Sequence, residues 1–166
     1  APSFAMDLKI MGSSAYIARR NDGLEIVDIS NPEFPIHIGE IDLPGEAHDL
    51  EVDNALVYFA DEIGLRVIDA SNPSSPALIG SVTTPAKSWD LCIDDDGIVY
   101  LADRFSGTST QSSVRVYNMT NPASPNQIAS VSYGPLGRVQ HVHALGDQLF
   151  VVHGNDLQSL DVFFFF

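Results

Sequence analysis

Three aspartates, Asp7, Asp49 and Asp90, stand at matching points of a repeated pattern, each followed by leucine, and His141 holds the same place in a fourth copy. Three carboxylates and an imidazole brought to one axis would suit Ca2+ or another divalent cation. The same carboxylates can instead accept from backbone N–H groups of an adjoining unit, and this structural reading is preferred. His143 falls on the same side of a strand as His141, with His153 close by in sequence, which raises a zinc or copper site lacking a fourth ligand.

Other chemistry is mostly excluded. Gly12-Ser13-Ser14-Ala15-Tyr16 lacks the closing glycine of a nucleophile elbow, and the chain holds no Cys-x-x-Cys or His-Glu-x-x-His. Asp94-Asp95-Asp96-Gly97 lacks the alternating ligands and distal glutamate of a calcium loop, and reads as a hairpin turn. Cys92 is the only cysteine, so no internal disulfide forms, and it reads as a small buried hydrophobe. The chain therefore reads more as a non-enzyme without a cofactor. The alternative is a metal-dependent hydrolase or lyase with Asp7, Asp49, Asp90 and His141 at a central channel. Glycan binding through Trp89 and Tyr133 is a third reading.

The elements that must position these residues are repeats. Gly23 to Pro32 returns as Gly64 to Pro73 and again as Ser113 to Pro122, at offsets of 41 and 49 positions. The eight extra positions fall mostly in the polar stretch from Arg104 to Ser112. Tyr16-Ile17-Ala18, Tyr58-Phe59-Ala60 and Tyr100-Leu101-Ala102 are equivalent, and a fourth unit runs from about Val139 to Val162. Each complete unit holds four short runs of Val, Ile, Leu and Tyr between Gly, Asn, Asp and Pro signals, the pattern of consecutive strands joined by tight turns. No stretch keeps an amphipathic helical period. The fold class is all-β, with strands in the second unit predicted at Ala47–Val52, Leu56–Asp61, Leu65–Asp69 and Leu78–Val82. Near-continuous hydrophobicity in Val57-Tyr58-Phe59-Ala60 points to sheets buried on both faces, as in the four-stranded blades of a β-propeller.

These segments resemble the LVIVD repeat of bacterial and archaeal secreted or cell-surface proteins. The resemblance covers Asp7 to Val162 and implies a β-propeller, but no common catalytic motif. The expected organisation is a propeller segment over 1–162, with blades at about 5–44, 45–85, 86–135 and 136–162. That gives three complete blades and most of a fourth, read as part of a larger propeller. Phe163 to Phe166 occupy slots where the repeat predicts Ser-Asn-Pro, and are read as unassigned or artificial sequence.

Asp28, Asp69 and Asn118 each precede Ser or Thr by two positions and then Asn-Pro, a spacing suited to a side-chain turn clamp. Asn118-Met119-Thr120 also matches an N-glycosylation acceptor. Eight Lys and Arg against 22 Asp and Glu leave a net charge of −14, which repels nucleic acid and anionic lipid headgroups. No apolar run is long enough to span a membrane. Partners are expected to be proteins, including other copies or missing blades, with an extracellular, cell-surface or periplasmic location. Loops on one rim are the expected contact surface: Arg19, Arg20, Asp61, Glu62, Arg138, and the insertion residues Arg104, Phe105, Ser106 and Thr108.

Overall fold

The computed structural model describes residues 4–104, 111–134, 138–154 and 156–161. Its strands form four separate antiparallel sheets, each a meander in chain order. Blade 1 holds β1 (Ala5–Met11), β2 (Ser14–Arg19), β3 (Gly23–Asp28) and β4 (Ile36–Ile41). Blade 2 holds β5 (Ala47–Asp53), β6 (Leu56–Asp61), β7 (Gly64–Asp69) and β8 (Ala77–Thr83). Blade 3 holds β9 (Lys87–Ile93), β10 (Ile98–Arg104), β11 (Ser113–Asn118) and β12 (Asn126–Ser132). Among the described residues, blade 4 holds three strands, β13 (Val139–Leu145), β14 (Gln148–His153) and β15 (Asp156–Asp161). The chain is a β-propeller of three complete blades and most of a fourth, and the predicted strands of the second unit agree with β5 to β8 within one residue at each end.

The core lies between blades, because alternating side chains leave each sheet on both faces. Tyr16, Ala18, Leu24 and Ile26 from one face of blade 1 meet Leu50, Val57, Phe59 and Ile68 of blade 2. The other face of blade 2, with Tyr58, Ala60, Leu65 and Val67, meets Leu91, Val99, Leu101 and Tyr117 of blade 3. Tyr100, Ala102, Val114 and Val116 then meet Val139, Val142, Leu149 and Val151 of blade 4. Three joints thus repeat one arrangement, with a back face packed on the next blade's front face. Cys92 is buried within the third, and burial pushes its thiol pKa far up, so it behaves as a hydrophobe.

The strand-three motif closes each blade as expected. Asp28 Oδ1 accepts from Ser30 N–H, Asp69 Oδ1 from Ser71 N–H and Asn118 Oδ1 from Thr120 N–H, each at 2.8 Å. Those N–H groups hold the Asp28 and Asp69 carboxyls below the usual range. The proline that follows has a second role. A Cβ on Gly39 would lie 2.0 Å from the Pro73 carbonyl oxygen, and one on Gly80 would lie 2.2 Å from that of Pro122. The proline turn of one blade is therefore seated against the outer strand of the preceding blade, where only glycine fits.

Among the described residues, the four sheets stop short of a closed ring. Leu8 is 49% exposed, whereas its counterparts Leu50 and Leu91 are 0% and 2% exposed under the blade that precedes each. Leu157 of blade 4 is 69% exposed, against 0% for its counterparts Leu24 and Leu65. Among the described residues, no helix is long and apolar enough to cross a membrane.

Candidate functional site

Each inner strand carries one extra residue relative to its partner: Met6, His48, Trp89 and Gln140 fall at register shifts against β2, β6, β10 and β14. A bulge of this kind bends the strand and re-aims the side chains beside it. The residue that follows is Asp7, Asp49, Asp90 or His141, and the bulge turns the aspartates toward the next blade. Asp7 Oδ2 accepts from Leu50 N–H at 3.4 Å, Asp49 Oδ2 from Leu91 N–H at 2.8 Å, and Asp90 Oδ2 from Val142 N–H at 2.7 Å.

These are the inter-blade contacts of the preferred reading: each carboxylate accepts from a backbone donor of the adjoining blade. Among the described residues no group of three or more His, Cys, Asp or Glu is arranged to hold a metal ion. His141 lies over Asp90, with Nδ1 3.2 Å from Oδ1, and its side chain is 69% exposed. His143 is also exposed and His153 packs beside the Tyr133 ring with centroids 4.6 Å apart, so the three histidines do not converge.

The row is electrostatically crowded. Burial pushes Asp49 up to about 8, helped by the charge of Asp90 and a hydrogen bond with Asp7, and against the Leu91 N–H. Burial also raises Asp90, against the Val142 N–H and His141. Lys9 bridges this level to blade 2 through Glu51 Oε1 at 2.8 Å and lies 4.0 Å from Asp7. One protonated carboxyl in the row relieves repulsion that full ionisation would impose.

At the bulges, the His48 and Trp89 rings stack with centroids 4.3 Å apart, and the Arg104 guanidinium carbon lies 4.5 Å from the Trp89 ring centroid. Neither His48 ring nitrogen has a hydrogen-bond partner among the described residues, and burial lowers the imidazole pKa below its usual value. Trp89 is thus flanked by the chain's own groups, and the Tyr133 hydroxyl is buried.

One of the predicted contact residues is withdrawn from solvent. Asp61 is fully buried: Oδ1 accepts from Ile63 and Gly64 N–H at 2.7 Å each, and Oδ2 accepts from Arg66 Nε at 2.8 Å. It is a clamp within blade 2, not a free contact. The equivalent Asp103 binds Arg115 and accepts from Ser88 Oγ at 2.8 Å. Blade 1 inverts the charges, with Arg19 3.5 Å from Glu25. Arg20 pairs with Glu46 at 2.8 Å, Lys87 pairs with Glu62, and Arg138 is exposed, its carbonyl accepting from Gly154 N–H. Phe105, Ser106 and Thr108 lie outside the described residues. The Asp94 turn is the expected hairpin, its carboxylate accepting from Asp96 and Ile98 N–H and from the Tyr100 hydroxyl. The bulges were not foreseen, since pairing register and not composition defines them, but they explain why the residue before each aspartate varies.

Several solved structures share this fold. The computationally designed Ika4 protein superposes with a TM-score of 0.76 at 9% identity, over 96% of this chain and 92% of that one. The designed Ika8 protein gives 0.69 at 9% identity, over 98% of this chain but 47% of its own. A chain in an S. cerevisiae assembly of dbp5 bound to nup159, gle1, IP6 and ADP gives 0.60 at 10% identity, over 92% and 39%. No curated protein matches the chain. The model of the LVIVD repeat matches residues 3–42 and 44–84, so blades 1 and 2 are LVIVD repeats and the chain is consistent with that family.

Proposed function

We propose that the chain is a non-enzymatic interaction scaffold, a secreted or cell-surface propeller of the LVIVD type that presents its rim to protein partners. The observation that supports this most is how fully the recurrent polar residues are consumed. Asp7, Asp49 and Asp90 hold neighbouring blades. Asp28, Asp69 and Asn118 hold turns, Asp61 holds the buried Arg66 and Asp103 holds the partly buried Arg115. Among what varies between repeats are the rim pairs Arg20–Glu46 and Lys87–Glu62, which alternate charge in partly exposed positions. Charged groups of this kind select partners and speed encounter more than they add affinity.

The test is affinity isolation of the tagged chain with its partners from the extracellular material of its source, wild type beside an Arg20→Glu/Glu62→Lys variant. Defined proteins should accompany the wild type and be lost with the variant. A wild type isolated without partners, or one whose partners ignore the rim charges, overturns the rim reading.

A further inference from the structure

We propose that Asn118 is a modification site, the acceptor of an N-linked glycan at the pole of blade 3 opposite the contact rim. The inference rests on the exported location in the reading above and not on the rim contacts.

Asn118-Met119-Thr120 is the chain's one Asn-x-Ser/Thr acceptor, since the middle proline closes Asn72-Pro73-Ser74. It arises where blade 3 departs from the repeat. The same slots hold Asp28-Ile29-Ser30 in blade 1 and Asp69-Ala70-Ser71 in blade 2, whose carboxylates have no nitrogen to modify. All three side chains do one structural job, and they do it with oxygen alone. Each accepts the N–H two positions on at 2.8 Å, in a bond open to solvent. Asn118 Oδ1 accepts from the Thr120 hydroxyl as well. Its Nδ2 donates to no group among the described residues and is not buried. The amide thus turns its oxygen into the clamp and its nitrogen to solvent. Because a carboxylate serves the clamp in blades 1 and 2, a substituent on Nδ2 leaves the turn intact. Thr120 and Asn121 beside it are exposed, which gives a sugar room.

The donor is a glycan joined through a diphosphate to a polyprenol lipid. Nδ2 bonds to the anomeric carbon as the C–O bond to the diphosphate breaks. The diphosphate leaves with that electron pair, and Nδ2 gives up one proton to a base. In the folded blade the Asn118 backbone pairs with Ile98 on one side and Asn126 on the other, so transfer precedes the folding of blade 3. Asn118 ends a third strand, whereas Glu62 follows the end of a second strand and Lys87 begins a first. In an up-and-down sheet these are opposite poles, and a bulky, solubilising glycan at one leaves the rim at the other free.

Mass spectrometry of the tryptic peptide Val116–Arg138, from the chain isolated from its source, tests this. Asn118 should carry a glycan that peptide N-glycosidase removes, leaving aspartate. Asn118→Asp should abolish the modification and Thr120→Ser should keep it. Thermal unfolding of the glycosylated chain, the enzymatically stripped chain and Asn118→Asp should coincide, because each keeps the clamp oxygen. An unmodified Asn118 in chain recovered from extracellular material, a glycan only at another residue, or a glycosylated chain that unfolds at a lower temperature than Asn118→Asp overturns the proposal. Recovery from cell lysate alone fails the exported reading instead. Secretion of the chain behind a signal peptide from an N-glycosylating host then decides the acceptor separately, and an unmodified Asn118 there overturns it.

Discussion

The Asp49 carboxylate of blade 2 accepts the Leu91 N–H of blade 3 at 2.8 Å while standing close to two other acids, Asp7 and Asp90. The hydrogen bond needs only an acceptor oxygen, yet the surroundings favour the protonated acid and push Asp49 up to about 8. Its folded value lies above the ordinary 3.8 of a free aspartate. The stabilisation is therefore complete below the unfolded value and is lost as pH rises through the folded one. Asp49→Asn keeps a carbonyl for Leu91 and titrates nothing. Thermal unfolding should show the wild type losing stability progressively between about pH 4 and pH 8, and the variant losing less of it.

Gly39 and Gly80 seat the proline turns of the following blades. Alanine at either position drives a Cβ to within 2.0 or 2.2 Å of a backbone carbonyl, so the blades must part. Gly39→Ala and Gly80→Ala should each cost about 1–3 kcal/mol. Urea unfolding monitored by fluorescence checks this through a lower midpoint at unchanged slope.

The charge pair at the end of the second strand is a measure of what lies in front of it. Asp61 and Arg66 are buried, so Asp61→Ala strands a guanidinium and two backbone N–H groups and should cost about 3–5 kcal/mol. Arg19 and Glu25, with no blade packed over them, remain partly solvated, and Arg19→Ala should cost under about 1 kcal/mol. Denaturant titration of the two variants side by side reads the difference.

The repeat made most of the architecture legible. Tyr-x-Ala triplets and Asn-Pro turns recur because every blade needs the same packing and the same stop, and period-two burial on both faces left few alternatives to a propeller. The aspartate row was legible as a level in the fold, and its use was resolved only by the bulge beside it. A bulge belongs to the pairing of two strands, so nothing in Met6, His48, Trp89 or Gln140 announces it. Asp61 read as a rim residue because it ends a strand before a loop. Its partner Arg66 lies five positions on, across the turn, and only the folded hairpin brings them together.

The extra residue in each inner strand has an evolutionary corollary. It sits outside the ladder, so the strand pairing does not fix its identity. A thioether, an imidazole, an indole and an amide already occupy the four slots. The fold thus offers one position per module whose identity the strand ladder does not dictate, through which duplicated units can diverge in chemistry while their aspartate joints are kept.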